Sequence, residues 1–268
     1  MNIKSILRRC FPDHKYLAAA AFISLMLGSM PLHSDRIAVI GDSWAKRIVG
    51  PLREVLAENG HPDVTVALAL NECCARDLTY LNQLNAITAY LNAHPDTNIV
   101  HLSIGGNDLL RTWWAPDIGT PAEAQLFASI VDWAEIVVDH IHSVRPDIEI
   151  MWSSYDYFRP KDQGTPTQLN AAQIQIAEMA AQLAENKPGL SYVNLHGTLQ
   201  VRYGFDGVMH TEFDPPYPIP PGDPSLPDAT LPSPQEAFGQ DAGAPPGVID
   251  PLHPHWDAYK VVGQVQYD

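Results

Sequence analysis

The chain has 268 residues, of which 46% are hydrophobic, which is enough for one α/β domain with a buried core. Its formal net charge is −15, from 16 basic and 31 acidic residues. Because phosphate backbones and anionic lipids attract basic faces, this balance argues against nucleic acid as a partner and against a membrane surface as a partner of the folded domain.

The N-terminal residues differ in composition from the rest of the chain. Basic side chains, among them Lys4, Arg8 and Lys15, precede an apolar stretch over residues 16–30. A basic start followed by a short apolar stretch is typical of a secretory signal. The stretch is shorter than the ~20 residues that a membrane span needs, and an uncleaved anchor is the alternative. We therefore expect residues 1–33 to be a signal peptide or membrane anchor, residues 34–268 to form one domain, and the protein to be secreted or periplasmic.

Beyond residue 34, short apolar stretches alternate with amphipathic segments. The predicted strands are 36–40, 64–70, 98–104, 148–152 and 190–195, and the predicted helices are 44–58, 77–93, 121–144, 167–185 and 255–265. Strands that alternate with helices indicate βαβ units and a parallel sheet covered on both faces. The sequence therefore predicts an α/β fold.

A proline-rich segment at 214–247 interrupts this alternation. Pairs of prolines at 215–216, 220–221 and 245–246 are incompatible with regular helix and with a central strand. A segment of this length inside a domain is either an ordered surface cover or a flexible insertion. We keep both alternatives for this insertion.

The three cysteines do not predict a metal site. Cys10 falls in the expected signal, and a disulfide between the adjacent Cys73 and Cys74 would be strained. Two buried thiols that act as small apolar groups are the simpler interpretation. Neither a paired CxxC motif nor a dense His/Cys cluster indicates zinc, so we expect neither a metal nor an organic cofactor.

Three polar groups of residues come after predicted strands and carry the chemistry. Gly41-Asp42-Ser43 follows the first strand, 105–108 (Gly-Gly-Asn-Asp) follows the third, and 250–253 (Asp-Pro-Leu-His) lies beyond the fifth. The carboxyl ends of parallel strands meet at one edge of the sheet, where such folds place their sites. A serine becomes a nucleophile when a histidine oriented by a carboxylate takes its proton, and His253 and Asp250 supply both groups from one turn.

Acyl transfer also needs N–H donors for the developing oxyanion. The Asn107 side chain and the Ser43 N–H, at the start of a helix, are two candidates. A third comes from the loop over 74–76, where we name Ala75 and keep Cys74 and Arg76 as alternatives. The competing interpretation is that Ser43 only caps its helix and that Asn107 belongs to a turn.

These three groups, in this order, resemble the blocks of the SGNH hydrolases, also called GDSL esterases and lipases. The resemblance covers residues 36–264 apart from the proline-rich insertion. It implies a flavodoxin-like three-layer α/β/α sandwich with a central sheet of about five parallel strands. It also implies Ser43 as nucleophile, His253 as base, Asp250 as the residue that orients the base, and Asn107 as oxyanion donor.

The sequence departs from the family pattern at two places near the serine. Trp44 stands where the family often has leucine, and the loop over 71–77 lacks the glycine that usually offers an N–H to the oxyanion. We expect Trp44, Gly106, Trp113 and Tyr155 to line the substrate pocket, with aromatic packing beneath loops as the alternative for the aromatic ones.

The resemblance implies an exported esterase or lipase acting on a small-molecule or polysaccharide ester. A carbohydrate O-deacetylase or an acyltransferase with the same residues is one alternative. A non-catalytic carbohydrate- or partner-binding module on the same fold is another, supported only by the missing glycine. The sequence leaves the oligomeric state open.

Overall fold

The computed structural model describes residues 35–158, 163–204, 219–234, 237–240 and 249–268. The expected signal or anchor at 1–33 lies outside these residues, as do parts of the proline-rich segment. Among the residues described, none of the helices combines the length and apolarity needed to cross a membrane.

A five-stranded parallel sheet forms the centre of the molecule. Its strands are β1 (Arg36–Gly41), β2 (Thr65–Asn71), β3 (Thr97–Ser103), β4 (Glu149–Ser153) and β5 (Leu190–Val193). They pair in the order β2-β1-β3-β4-β5, and every pairing is parallel. This is the flavodoxin-like order, which places a crevice between β1 and β3 at the carboxyl edge of the sheet. The predicted fold class is confirmed, and each predicted strand is present with its ends shifted by at most two residues.

Eight helices are described. They are α1 (Ser43–Glu58), α2 (Ala75–Leu78), α3 (Leu81–Ala93), α4 (Gly106–Thr112), α5 (Pro121–Val144), α6 (Pro166–Asn186), α7 (Thr198–Tyr203) and α8 (Trp256–Tyr267). The predicted helix 77–93 was wrong as one element, because Tyr80 takes an extended conformation and separates α2 from α3. Sequence periodicity missed α4 and α7, since both are too short to show a repeat.

Two hydrophobic cores cover the two faces of the sheet. Along β1, Ile37 and Val39 face the core formed with α1 and α8, whereas Ala38 and Ile40 face the core formed with α3 and α5. This alternation results from the period of two along a strand. All four side chains are at most 1% exposed, so β1 is buried on both faces and holds the residues at its carboxyl end in a fixed position.

The described part of the proline-rich segment packs against α6 and α7. The Asn170 Nδ2 group donates to the carbonyls of Ala229 and Leu231, at 3.0 and 2.7 Å. The Gln200 Nε2 group donates to the carbonyls of Asp228, Leu231 and Pro232, at 2.9–3.2 Å. Residues 219–234 are therefore an ordered surface cover.

The end of this segment also forms an antiparallel pair, β6 (Phe238–Gln240) with β7 (Ile249–Pro254). Asp250 and His253 lie within β7 at a shift in its register with β6, where the Asp250 Oδ1 accepts from the Leu252 and His253 N–H groups and closes the local turn that the sequence predicted. The pair is tied to the rest of the domain where the His255 N–H donates to the Ala237 carbonyl at 2.9 Å.

Candidate active site

Ser43 sits where β1 runs into α1. The Asp42 side chain caps this helix by accepting a hydrogen bond from the Trp44 N–H at 2.9 Å, so Ser43 is not the capping side chain. Gly41 lies against β3 so closely that a Cβ atom would stand 2.0 Å from the Ser103 carbonyl oxygen. Only glycine allows this approach, which holds the serine at the carboxyl edge of the sheet.

Ser43, His253 and Asp250 form one hydrogen-bonded chain. The Ser43 Oγ and the His253 Nε2 are 2.6 Å apart, and the His253 Nδ1 and the Asp250 Oδ2 are 2.7 Å apart. The carboxylate fixes the tautomer with the proton on Nδ1, which leaves Nε2 as the acceptor of the serine proton. Residues 210 positions apart in the chain thus meet with the geometry of a nucleophile and its base.

The Asp250 carboxylate is held in its ionised form. Burial by itself would raise its pKa, but the hydrogen bonds from His253 and the Leu252 N–H, together with the charge of Arg47, hold the pKa below its ordinary value. The second carboxylate oxygen accepts from the Leu252 and His253 N–H groups, at 3.0 and 3.2 Å. The half-exposed Arg47 guanidinium lies 3.6 Å from Oδ2. Asp250 therefore stays charged and fixed in orientation.

A second carboxylate, Asp42, lies buried beneath the serine and was not among the predicted site residues. Its Oδ2 accepts a hydrogen bond from the Tyr155 hydroxyl at 2.6 Å and a weaker one from the Asn107 Nδ2 group at 3.3 Å. Burial raises the pKa of Asp42 to about 6, although the hydrogen bonds from Tyr155 and the Trp44 N–H act in the opposite direction. Asp42 thus links the helix cap, the pocket wall and Asn107.

The Asn107 amide faces the same pocket as Ser43. Besides its contact with Asp42, it donates to the Cys73 carbonyl at 2.9 Å. The loop after β2 and the Asn107 side chain are therefore directly connected. Asn107 sits in α4 because Gly105, with φ of +103°, takes the left-handed conformation at the helix start.

The structure does not support Ala75 as an oxyanion donor. The Ala75 N–H donates to the Asp108 Oδ2 at 2.7 Å, and the Arg76 N–H contacts the other carboxylate oxygen at 3.4 Å. Asp108 is buried and binds the start of α2, so both N–H groups have a protein acceptor. Within the part of the chain that is described, the N–H groups of Ser43 and Cys73 make no such bond.

A pocket with about 280 Å³ of empty volume surrounds the serine. Three of the predicted substrate-binding residues, Trp44, Gly106 and Tyr155, line it. Trp44 is fixed there because its Nε1 donates to the Leu252 carbonyl at 2.7 Å and its ring meets Tyr155 edge to face. A Cβ atom on Gly106 would stand 2.7 Å from the Tyr155 ring, so glycine permits this packing.

The prediction for Trp113 was wrong. This side chain is 1% exposed, packs in the core and donates its Nε1 proton to the Glu123 Oε1 at 2.7 Å. The structure adds Leu110, Phe158 and Leu252 to the pocket wall. The sequence held a signal for two of these residues. Leu110 lies four residues after Gly106 in α4, and Leu252 lies next to His253.

Two described histidines near the sheet, His101 and His255, have contacts apart from Ser43 and Asp250. His101 is fully buried in β3, where its Nε2 meets the Ser153 Oγ at 2.9 Å and burial lowers its pKa to about 4. The His255 Nδ1 accepts from the Ala258 N–H at the start of α8, at 3.3 Å. His255 therefore caps α8.

One group of side chains in the described residues has the composition of a metal site. The sulfur atoms of Cys73 and Cys74 and a carboxylate oxygen of Asp77 lie within 4.8 Å of one another. This group stands on the loop after β2 and does not line the pocket around Ser43.

We compared the chain with protein families, with curated sequences and with solved structures. No family model and no curated protein sequence matches the chain. Among solved structures, a lipase from a goat rumen metagenome is similar over 86% of this chain and 95% of its own, with 10% identity and a TM-score of 0.54. Two further similar structures are a family 3 carbohydrate esterase from Clostridium thermocellum and an extracellular lipase from Streptomyces rimosus.

The esterase has 16% identity, a TM-score of 0.44 and coverage of 87% of this chain and 93% of its own. The Streptomyces lipase has 17% identity, a TM-score of 0.45 and coverage of 75% and 92%. Taken with the strand order and the helices on both faces, the likeness to the rumen lipase confirms the three-layer α/β/α architecture that the resemblance implied.

Proposed function

We propose that the protein is a serine hydrolase that cleaves carboxylic esters through an acyl-serine intermediate. The observation that carries the proposal is the chain of hydrogen bonds from Ser43 to His253 to Asp250, at 2.6 and 2.7 Å. This arrangement activates a serine for attack on a carbonyl carbon. A non-catalytic binding module does not require a serine bonded to a histidine and a carboxylate. These hydrogen bonds therefore favour the hydrolase over the binding module.

In the proposed reaction, His253 Nε2 takes the proton of Ser43 Oγ as the oxygen attacks the ester carbonyl. Asp250 stabilises the imidazolium that results. The imidazolium then gives its proton to the leaving alcohol as the ester C–O bond breaks, and the acyl group stays on Ser43. Water, deprotonated by His253, attacks the acyl-serine, and the carboxylic acid leaves as Ser43 recovers its proton.

Two donors support the negative oxygen of the tetrahedral intermediate. The Ser43 N–H lies at the N-terminus of α1, where the helix dipole favours a negative charge. The Asn107 Nδ2 group is the second donor. Its contact with Asp42 is the longer of its two hydrogen bonds, at 3.3 Å against 2.9 Å to Cys73, and is the one that the substrate oxygen would replace.

The size of the pocket favours esters with short acyl groups. Its wall includes the bulky side chains of Trp44, Tyr155 and Phe158, and its empty volume of about 280 Å³ includes the open mouth. Pockets that enclose drug-sized ligands reach roughly 300–1,000 Å³. An acetyl or propionyl group fits this space, whereas a long chain would have to lie outside it, so acetylated carbohydrates belong to the proposed substrate class.

Substitution of the nucleophile tests the reaction. Ser43→Ala should lower kcat on p-nitrophenyl acetate by on the order of 10³-fold or more, because no hydroxyl remains to be acylated. A fluorophosphonate probe should label the native chain at Ser43 and leave this variant unlabelled. The matched control is Ser143→Ala, which removes an exposed hydroxyl at the end of α5. Equal activity of the two variants would refute the proposal.

A series of p-nitrophenyl esters tests the acyl preference. We expect kcat/KM to fall about tenfold or more from the acetate to the octanoate, since each poorly accommodated methylene costs about 1 kcal/mol and two of the six that are added already exceed a factor of about ten. Phe158→Ala should shift the preference toward longer chains. Phe158, with Gly106 and Tyr155, separates the serine pocket from a second cavity lined by Ile104, Leu109, Trp152 and Ile176. A flat series in the native protein would contradict the assignment of the pocket.

We also propose that the protein is exported. The support is the basic start and the apolar stretch over residues 16–30. N-terminal sequencing of the protein recovered outside the cytoplasm would identify a cleaved signal, and recovery in the membrane fraction with an intact N-terminus would identify an anchor.

A further inference from the structure

The loop between β2 and α2 carries two adjacent cysteines beside the proposed oxyanion donor. The Sγ atoms of Cys73 and Cys74 are 2.9 Å apart, and both thiols are free. The backbone carbonyl of Cys73 accepts the hydrogen bond from Asn107 Nδ2. A change in the peptide between the two cysteines is therefore transmitted directly to the Asn107 amide.

The loop is anchored on both sides of this peptide. On one side, the Glu72 N–H donates to the Gly41 carbonyl at 2.9 Å. On the other, Asp108 holds the N–H groups of Ala75 and Arg76. Between these anchors, the one hydrogen bond that the described residues make to the Cys73–Cys74 peptide is the bond from Asn107.

The two thiols differ in exposure. Cys74 is buried, and burial together with the neighbouring Cys73 thiol raises its pKa to about 12. Cys73 is only partly buried. Because the thiolate is the reactive form, Cys73 reacts first with a reagent from solution and Cys74 then reacts from within contact distance.

We propose that Cys73 and Cys74 form a reversible disulfide that displaces the Cys73 carbonyl from Asn107 and so lowers turnover at Ser43. The effect on turnover rests on the proposed ester hydrolysis, whereas the disulfide itself does not. Neighbouring Cα atoms are about 3.8 Å apart, below the roughly 4.4–6.8 Å that disulfides prefer. The bond is therefore strained, and strained disulfides are readily reduced, as a regulatory bond must be.

The oxidant is a low-molecular-weight disulfide, R–S–S–R. The Cys73 thiolate attacks one sulfur, which forms a mixed disulfide and releases one R–SH. The Cys74 thiolate then attacks the Cys73 sulfur and releases the second R–SH. Both cysteines are oxidised, the reagent is reduced to two thiols, and the two cysteine protons pass to the leaving thiolates. Excess thiol reverses both steps.

The experiment uses the full chain with Cys10→Ser, so that Cys73 and Cys74 are the only cysteines. After equilibration with oxidised glutathione and alkylation with iodoacetamide, trypsin releases residues 54–76 as one peptide containing both. We expect this peptide to escape alkylation and to be lighter by two hydrogen atoms, and to take up two alkyl groups after dithiothreitol. A fully alkylated peptide at every glutathione ratio would overturn the proposal.

Two further readouts test the coupling to Asn107. In the oxidised protein, kcat on p-nitrophenyl acetate should fall about tenfold, less than the roughly 10²–10³-fold that loss of an oxyanion donor costs. Hydrogen exchange of the peptide that covers α4 should become faster. Cys73→Ser, which keeps only the buried thiol, should respond to glutathione in neither measurement. Cys74→Ser should stop at the mixed disulfide on Cys73, and the added mass of one glutathionyl group on its peptide distinguishes this product from the internal disulfide.

An oxidised protein with unchanged exchange in α4 would refute the coupling. If the chain hydrolyses no ester in either state, the proposed function fails, while the mass and exchange measurements still decide the disulfide and its link to α4.

Discussion

A serine hydroxyl is a weak nucleophile until a base takes its proton, and the base that we propose for Ser43, His253, lies on a strand distant in the sequence. The contact with His253 is short because α1 begins immediately after β1, while β7 presents the histidine at the same edge of the sheet. Asp250 holds the imidazole from the other side. The Asp250 carboxylate thereby fixes the orientation of the His253 ring toward Ser43.

The Asp250 carboxylate provides the prediction at this scale. Asp250→Asn should lower kcat on p-nitrophenyl acetate by roughly 10³–10⁴-fold, because an amide that donates to Nδ1 forces the wrong histidine tautomer. KM should change little, since Asp250 does not line the pocket. Asp257→Asn, which changes an exposed carboxylate in α8, is the matched control. A loss confined to KM would contradict the assigned role.

At the scale of elements, the proline-rich segment stabilises the side of the molecule formed by α6 and α7. Gln200 in α7 is fully buried and makes four hydrogen bonds with this segment, three through Nε2 and one in which Oε1 accepts from the Asp228 N–H. Residues 220–234, the longest described stretch of this segment, form neither helix nor strand, so their position depends on such side chains.

Gln200→Ala should lower the free energy of unfolding by about 2 kcal/mol, because it leaves the buried Pro232 carbonyl without a donor and the Asp228 N–H without an acceptor. The Leu231 carbonyl keeps its bond from Asn170, and the Asp228 carbonyl keeps its bond from the Leu231 N–H. Urea denaturation measures the loss, and limited proteolysis within residues 219–234 should become faster. Gln182→Ala removes an exposed glutamine of α6 and should leave both measurements unchanged. Equal stability of the two variants would show that the segment is held elsewhere.

At the scale of the whole molecule, buried titratable groups act on stability in opposite directions between pH 7 and 5. Burial raises the pKa of Asp42 and Asp156 to about 6, so the folded state binds protons before the unfolded chain does, and stability rises as the pH falls. Burial lowers the pKa of His101 and His196 to about 4, so the unfolded chain binds protons first, and stability falls over the same range. We expect the two effects largely to cancel.

Without the Asp156 carboxylate, the destabilising effect of His101 and His196 at lower pH should no longer be offset as fully. Asp156 is 1% exposed and accepts hydrogen bonds from the Tyr157, Gly197 and Leu199 N–H groups. In Asp156→Asn, the free energy of unfolding should fall by about 1 kcal/mol more between pH 7 and 5 than in the native protein. Urea denaturation at the two pH values measures this difference, and parallel pH profiles would contradict it.

Some site residues could be predicted from the sequence and others could not. The order of Ser43, Asn107, Asp250 and His253 along the chain, each beyond a predicted strand, was sufficient to predict that they meet at one edge. Trp113 and Ala75 were misassigned because neighbours distant in sequence, Glu123 and Asp108, take their N–H groups. No local pattern carries that information.

The sequence by itself determined the strands and long helices, and hence the parallel sheet, because apolar periodicity reports which side of each element is buried. It also determined that Ser43 and Asn107 lie at the carboxyl edge, since both follow strands of the parallel sheet directly, whereas the position of Asp250 and His253 depends on the separate pair of β6 and β7. Only the tertiary structure decided which N–H groups remain free near Ser43, which aromatic side chains close its pocket, and that Asp42 and the Cys73–Cys74 peptide both contact Asn107. These features depend on distances between segments far apart in the chain, and such distances are set by packing, not by local propensity.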